Sequence, residues 1–519
     1  MRGAVIGWLI LVACKSSSPI DGDAAGSGNG LCGNGVVDEG ETCDGTCEPC
    51  NDGEACTADT ATGAAETCDL ACTSTPITEC ANNDGCCLDA CTYATDNDCP
   101  PPTGTPLQDR LVVTDITAPA GVIPGVSNWR IWGTSNLRVG PVYTVPFADC
   151  GTLVGYTTGT VSNPRARVAR LTSFDQLVTT YDLGAFTLRG LAAEPDGHWA
   201  ALLWEQDANP ETNTLHVRRF SPQGAQVSST SLDYMLAAPT DFGIGESRLE
   251  YGNGRYGAYF HVHGISGFAD GHEGDALFWV DAATGNRTTG WEWGCSHSMS
   301  NLLRYSPAAN RTLAICVTDC FPGTSGDFAA NSIGGIYLDH DDVKVRDFDA
   351  NCGGRVAAEL GSAAPGVAGW KLVFNGHQNA ATPGTMSYNT STMNQDIGFV
   401  PIANNRTAGA IVWLTTTPGN EQNASIARWQ PTGDTAEQYV VGWSVAGTTQ
   451  TWRLGRVNAT GGFIEGPVTL TGAKWGERDD PFREHRNGDI VWAWFDMAGS
   501  TTLRFARLKS GGTASCAPL

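Results

Sequence analysis

The residues best equipped for chemistry gather between positions 261 and 298. They are His261-Val262-His263, then Gly271-His272-Glu273-Gly274-Asp275, then Trp291-Glu292-Trp293-Gly294-Cys295-Ser296-His297-Ser298. Histidines two apart on a strand point to one face. Joined by His272 and by Glu273 or Asp275, they would offer three nitrogens and a carboxylate, a set that suits zinc or another transition metal activating water for hydrolysis. The same residues suit binding without catalysis, because Trp291 and Trp293 can stack on apolar faces while His297 and Asp275 bond hydroxyls. Ordinary loop packing without function is the leading reading, ahead of both. Ser296 and Ser298 beside His297 do not amount to a triad, since neighbours in sequence cannot adopt that geometry. Neither H-E-x-x-H nor G-x-S-x-G occurs. Binding therefore ranks above catalysis, no catalytic residue is assigned, and no transition metal is expected. Asp339-His340-Asp341-Asp342 reads as a solvated acidic turn.

These residues must be positioned by β-strands. Pro100-Pro101-Pro102-Thr103-Gly104 is a stiff boundary, and 101–106 is the expected linker to a domain over 107–519. Beyond it, short apolar runs recur between Gly, Asn, Asp and Pro turns, and long helical periodicity is missing, which predicts an all-β fold. The runs come in pairs: Thr152 to Tyr156 with Val168 to Leu171, Trp199 to Trp204 with Leu215 to Phe220, Tyr256 to Val262 with Ala276 to Asp281, and Thr312 to Val317 with Ile336 to Leu338. Trp370 to Phe374 with Ile397 to Ile402, Ala410 to Leu414 with Ala424 to Trp429, Tyr439 to Trp443 with Trp452 to Val457, and Ile490 to Phe495 with Leu503 to Leu508 complete the series. A four-stranded unit repeating every 40 to 50 residues is the β-propeller pattern. Eight pairs with one short interval predict seven blades, with eight as the next choice and a pair of β-sandwiches as the competing architecture. Leu503 to Leu508 is expected to pair with a strand near Leu111 to Thr114, closing the ring so that no sheet edge stays open.

Residues 14–30 are rich in Ser, Gly and Asp and read as a flexible tether. The segment 31–100 holds twelve cysteines, from Cys32 to Cys99, with few large apolar residues, so it is expected to be a module stapled by disulfides. No histidine occurs in it, which disfavours a zinc site at Cys47-x-x-Cys50. Cys32-Gly33-Asn34-Gly35-Val36-Val37-Asp38-Glu39-Gly40-Glu41-Thr42-Cys43-Asp44 resembles the opening of cysteine-rich repeats of myxobacterial surface proteins and the start of disintegrin domains. Asn83-Asp84-Gly85-Cys86-Cys87 and Asp96-Asn97-Asp98-Cys99 fit the same style. The disintegrin resemblance implies calcium held by Asn34, the Val36 carbonyl, Asp38, Glu41 and Asp44, and calcium does favour hard oxygens presented by a tight loop. Solvated turn residues are the alternative. After Asp44 the cysteine spacing departs from disintegrins, so integrin binding is not implied.

The opening of the chain points to a compartment. Arg2, an apolar run from Ala4 to Val12 and small residues describe a secretory signal over 1–13, too short to span a membrane. Leu11-Val12-Ala13-Cys14 resembles the bacterial lipobox, which implies cleavage before Cys14 and acylation of that residue, attaching the chain to a lipid bilayer. Lys15, rather than Asp, follows the cysteine, which favours the outer membrane or cell surface. Cysteine arithmetic agrees: nineteen in all, twelve in the module and six downstream leave Cys14 over. Among the six, a local Cys316 to Cys320 bridge and a Cys150 to Cys516 clasp are expected. A formal charge of -24, with 17 Asp and Glu against one Lys between Lys15 and Gly104, argues against nucleic acid, whose phosphates require basic patches. A monomeric surface lipoprotein that binds an extracellular glycan, peptide or protein is the resulting expectation. Cys14→Ser should abolish labelling by a palmitate analogue in a bacterial host and move the chain from the membrane to the soluble fraction. Labelling that persists in the variant would refute acylation at Cys14.

Overall fold

A strand that is apolar on both faces needs cover on both faces, and several runs in this chain have that character. The computed structural model describes residues 32, 34, 36–44, 50, 52, 54–64, 67–82, 84–125, 139–205, 214–232, 246–263, 273–295, 298–318, 335–339, 343–347, 358–376, 378, 394–431, 434–476 and 480–512. The chain divides into two compact units, Met1–Pro76 and Ile77–Leu519. In the first, the strands Thr57–Thr62 and Ala71–Pro76 form an antiparallel hairpin, and disulfides join Cys32 to Cys68 and Cys50 to Cys72. The second unit contains the end of the cysteine-rich segment, stapled by Cys80–Cys91 and Cys87–Cys99, together with a seven-bladed propeller.

Among the described residues the blades are seven four-stranded antiparallel sheets. Blades 1 to 6 span 143–184, 187–231, 247–294, 298–347, 358–413 and 420–469. Blade 7 takes three strands from 483–508 and its outermost from Leu111–Thr117, in register from Leu111 opposite Leu508 to Thr117 opposite Thr502. The expected closure is therefore present. The first strand of each blade touches the first strand of the next, and that of blade 7 touches that of blade 1, so the ring is complete. Seven of the eight sequence pairs are the second and third strands of the seven blades. The eighth, Ala410 to Leu414 with Ala424 to Trp429, joins the outer strand of blade 5 to the first strand of blade 6, which explains its short interval.

Packing follows the same logic. Seven apolar clusters each bridge two neighbouring blades, so every blade contact has its own core. Trp199 stacks on Phe220 with ring centroids 4.2 Å apart, and Trp370 Nε1 donates across a contact to the Arg304 carbonyl at 3.2 Å. Outer strands are largely exposed, as in Phe463–Thr469, which is why they lack the continuous apolar signal.

The junction of blades 7 and 1 carries a buried ion-pair network. Arg507, on the last strand, donates from Nε and Nη2 to Asp175 at 2.6 to 3.0 Å and from Nη1 to Asp489 at 3.1 Å. Burial works against its charge, but the two carboxylates outweigh burial and hold the guanidinium above its ordinary pKa. One expectation is corrected: Cys316 pairs with Cys295, not with Cys320. Antiparallel pairing brings the second strand of blade 4 beside the end of blade 3, a proximity that sequence spacing does not reveal. Cys150 is disulfide-bonded, while Cys320, Cys352 and Cys516 lie outside the described residues.

Near the axis the first strands crowd each other. A Cβ on Gly361 would run into the carbonyl of Ala424 on the next first strand. Gly361→Ala is expected to cost about 1–3 kcal/mol, read as a lowered melting temperature. An unchanged melting temperature would show that the axis relaxes freely.

Candidate functional site at the propeller axis

The seven first strands end together on one side of the axis. Where they end, a cavity of about 250 Å³ opens, lined from all seven blades: Val145 and Pro146, Leu191 to Ala193, Glu250 and Tyr251, Arg304, Ala363 to Pro365, Ile426 to Arg428, and Phe482 to Glu484. Its wall alternates small apolar side chains with fixed charges. Arg304 Nη1 lies 3.2 Å from Glu250 Oε2, its Nε donates to the Ala363 carbonyl at 3.0 Å, and its Nη2 faces the buried Asp480 carboxylate. Arg483 Nη1 approaches the same Glu250 oxygen at 3.6 Å. Burial holds both guanidinium groups below their usual pKa, with Glu250 pulling the other way. An arginine nonetheless keeps its proton in a protein.

Glu484 differs from Glu250. Burial pushes its carboxyl up to about 7, with Arg428 partly opposing the shift. The mouth therefore holds one carboxylate engaged by two arginines and one carboxyl able to exchange a proton near neutrality, a polar frame with donors and acceptors in fixed places. Sequence reasoning missed this set. A signal was present, since Leu249-Glu250-Tyr251, Leu303-Arg304-Tyr305 and Ala427-Arg428-Trp429 repeat one pattern, a charge between an apolar residue and an aromatic. Each stands near the end of a first strand.

At the opposite end of the first strands, the structure gathers part of the histidine-rich region. The strands Arg255–His263 and Glu273–Asp281 pair so that His261 faces Asp275 and His263 faces Glu273 in backbone register. His261 and Asp275 are buried. Asp275 Oδ2 accepts from the Tyr259 hydroxyl at 2.9 Å, and its Oδ1 lies 3.6 Å from His261 Nδ1. Neither ring nitrogen of His261 has a hydrogen-bond partner. Asn301 of blade 4 donates to the Glu246 carbonyl at 3.1 Å and ties the cluster across the contact. Cys295 and Cys316 also approach Asp275, but joined to each other they are not thiolate ligands. Trp291 and Trp293 are half-buried. Trp291 meets Tyr259 edge-on at 5.8 Å, and Trp293 packs against the core between blades 2 and 3. His272 and His297 lie outside the described residues, as do Ser296 and His340 to Asp342, and for His263 and Glu273 only the backbone is described.

In the first unit, three of the side chains expected to meet calcium, Asn34, Asp38 and Glu41, bond within their own turn. Val36 N donates to Asn34 Oδ1 at 2.8 Å, Asn34 Nδ2 to Asp38 Oδ2 at 2.7 Å, and Asp38 N to Glu41 Oε2 at 3.0 Å. Together with Cys32–Cys68 these bonds define the turn.

No family model matches the chain, and no curated protein does. Among solved structures, it is similar to the Dos1 propeller, at 12% identity over 69% of this chain and 75% of that one, with a TM-score of 0.36. The β-propeller domain of the Trilobed protease from Pyrococcus furiosus gives 9% over 70% and 92%, with a TM-score of 0.37. The Penicillium chrysogenum α-L-arabinanase complexed with arabinobiose gives 10% over 76% and 99%, with a TM-score of 0.38.

The raised pKa of Glu484 has a stability consequence. The folded state keeps this proton to higher pH than the unfolded chain does, so the group lowers stability progressively as pH rises from about 4.5 towards 7. Glu484→Gln should remove that loss. After discounting for the partial exposure of Glu484, the gain is on the order of 1–2 kcal/mol at pH 8 and close to nothing at pH 4.5. Melting temperatures of both proteins across that range decide it, and an equal gain at both ends would reject the assignment.

Proposed function

We propose that this protein is a lipid-anchored component of a bacterial envelope, held through acylated Cys14, that displays its propeller outward and binds a hydroxyl-rich extracellular polymer, a glycan above all, at the axial mouth. The single observation that supports the reading is the cavity to which all seven blades contribute, with Arg304, Arg428, Arg483, Glu250 and Glu484 set among Val145, Leu191, Tyr251 and Phe482. Paired donors and acceptors beside apolar and aromatic walls suit a sugar, whose hydroxyls both donate and accept and whose ring faces are apolar. Arg304 and Arg483 already share Glu250, so a strongly anionic ligand would have to displace that carboxylate to reach them, whereas a neutral one would not.

The test is a glycan and peptide array probed with the labelled full chain carrying Cys14→Ser, beside the same chain with Arg428→Ala or Glu484→Gln. Glycan binding that falls about tenfold or more in either variant supports the reading. Binding that is indifferent to both substitutions, or confined to peptides, overturns it. A metal-dependent hydrolase centred on the 261 to 297 region is the second reading, favoured by the unpartnered ring of His261 beside Asp275. Stoichiometric zinc in the purified chain, lost on His261→Ala, would support it, and a metal-free preparation from zinc-supplemented medium would remove it.

A further inference from the structure

We propose that Asp84, Asp96 and Asp98 hold a calcium ion that fixes the fold of the last part of the cysteine-rich segment where it rests on the rim of the propeller. Each contributes one carboxylate oxygen to a group whose members lie within 4.8 Å of one another. Two ligands on opposite sides of a calcium ion, each at 2.3–2.6 Å, stand about 5 Å apart, so one ion can reach all three.

The second observation concerns Asp96 itself. It is fully buried. Its Oδ1 accepts the Asp98 amide at 2.9 Å, but its Oδ2 is buried with no hydrogen-bond partner. A carboxylate oxygen withdrawn from water without a partner is costly unless a cation or a proton meets it. The other two residues hold the shape of the loop: Asp98 Oδ2 accepts the amides of Asp84 and Gly85 at 3.0 and 3.1 Å, and Asp84 Oδ1 that of Cys86 at 2.9 Å. Cys80–Cys91 and Cys87–Cys99 fix the backbone around them.

Charge favours a divalent ion. Three carboxylates converge, and the nearby positive charge is Lys509, whose Nζ is 3.6 Å from Asp98 Oδ1 and also donates to the Asn97 carbonyl. One ammonium against three carboxylates leaves an excess that a doubly charged ion would match. An all-oxygen donor set selects a hard cation, and a loop offering carboxylates without strict octahedral placement favours calcium over magnesium.

The location suggests the purpose. Lys509 directly follows the last strand of blade 7, and the Asp84 loop rests on a turn of blade 1, where Gln176 Nε2 donates to the Asp84 carbonyl at 3.4 Å and the Phe174 ring fills the space a Cβ on Gly85 would need. An ion here would fix the shape of the loop that meets both sides of the ring closure.

The experiment titrates calcium into the metal-stripped full chain carrying Cys14→Ser, followed by calorimetry and thermal melting. One site should appear and the melting temperature should rise with calcium, as any ligand selective for the folded state requires. Asp96→Asn and Asp84→Asn should each weaken that site about tenfold or more, Lys509→Met should strengthen it, and magnesium at equal concentration should bind more weakly. Asp38→Asn, in the turn of the first unit, should leave it unchanged. The proposal fails if the chain binds no calcium at millimolar concentration, if both aspartate variants bind as the parent does, or if Asp38→Asn alone removes the site. Should Asp96→Asn not fold, as judged by circular dichroism without metal, Asp84→Asn decides.

Discussion

A propeller has no edge to spare, and this one depends on joining a strand near the start of its second unit to a strand near its end. Leu111–Thr117 completes blade 7 by pairing along the whole of Thr502–Leu508. Without that pairing the last sheet would expose a row of amide and carbonyl groups, and blade 1 would lose the neighbour that covers Val154 and Tyr156. The closure is reinforced by Arg507, held between Asp489 of its own blade and Asp175 of blade 1. His485 sits in the same junction beside the Thr152 hydroxyl at 2.9 Å, where burial and the adjacent arginines hold its pKa well below the usual range and keep it neutral. The junction thus joins main-chain pairing with a charged network whose removal would leave buried carboxylates unmatched.

Closing the ring also decides what kind of surface the axis becomes. Seven first strands converge there, and at Gly190 and Gly361 the neighbouring first strand comes too close to admit a Cβ. Where the strands end a cavity opens, and there long charged side chains line the space, with Arg304 set against Glu250. The contact between blades 3 and 4 shows a different solution. Its apolar cluster is limited to Tyr259, Leu277, Leu303 and Ala314 with two half-buried tryptophans. The same contact carries the disulfide from Cys295 to Cys316 and the polar group of His261, Asp275 and Asn301. A crosslink closing a loop of this length is worth roughly 3 kcal/mol, of the order of one well-buried aromatic. A covalent tie and a polar network thus supplement a thin apolar contact.

The architecture was legible because its signal is repetitive. Second strands are covered on both faces and read as apolar runs, third strands such as Asn163–Leu171 and Thr214–Phe220 read as alternation, and the one misfit pair, 410–414 with 424–429, marks a crossing between blades. The candidate sites were legible in part. His261 and Asp275 meet because antiparallel register sets them opposite, which alternation along two neighbouring runs could suggest. Glu250, Arg304, Arg428 and Glu484 come from blades 3, 4, 6 and 7, and Asp84 joins Asp96 and Asp98 only through the fold of a stapled loop.

The sequence by itself determined the all-β repeat, a ring of seven or eight blades, the strand that closes the ring and a cysteine-rich segment whose cysteines pair. Each of these rests on local composition or on a period along the chain, where burial and bonding capacity are written residue by residue. The partners were decided by the tertiary structure: Cys316 with Cys295, Arg304 with Glu250 and Asp480, and Arg507 with Asp175. Pairing of this kind depends on which blades lie side by side and on the register of their strands, and separations from 21 residues for Cys295 and Cys316 to 332 for Asp175 and Arg507 leave no trace of that proximity in the residues themselves.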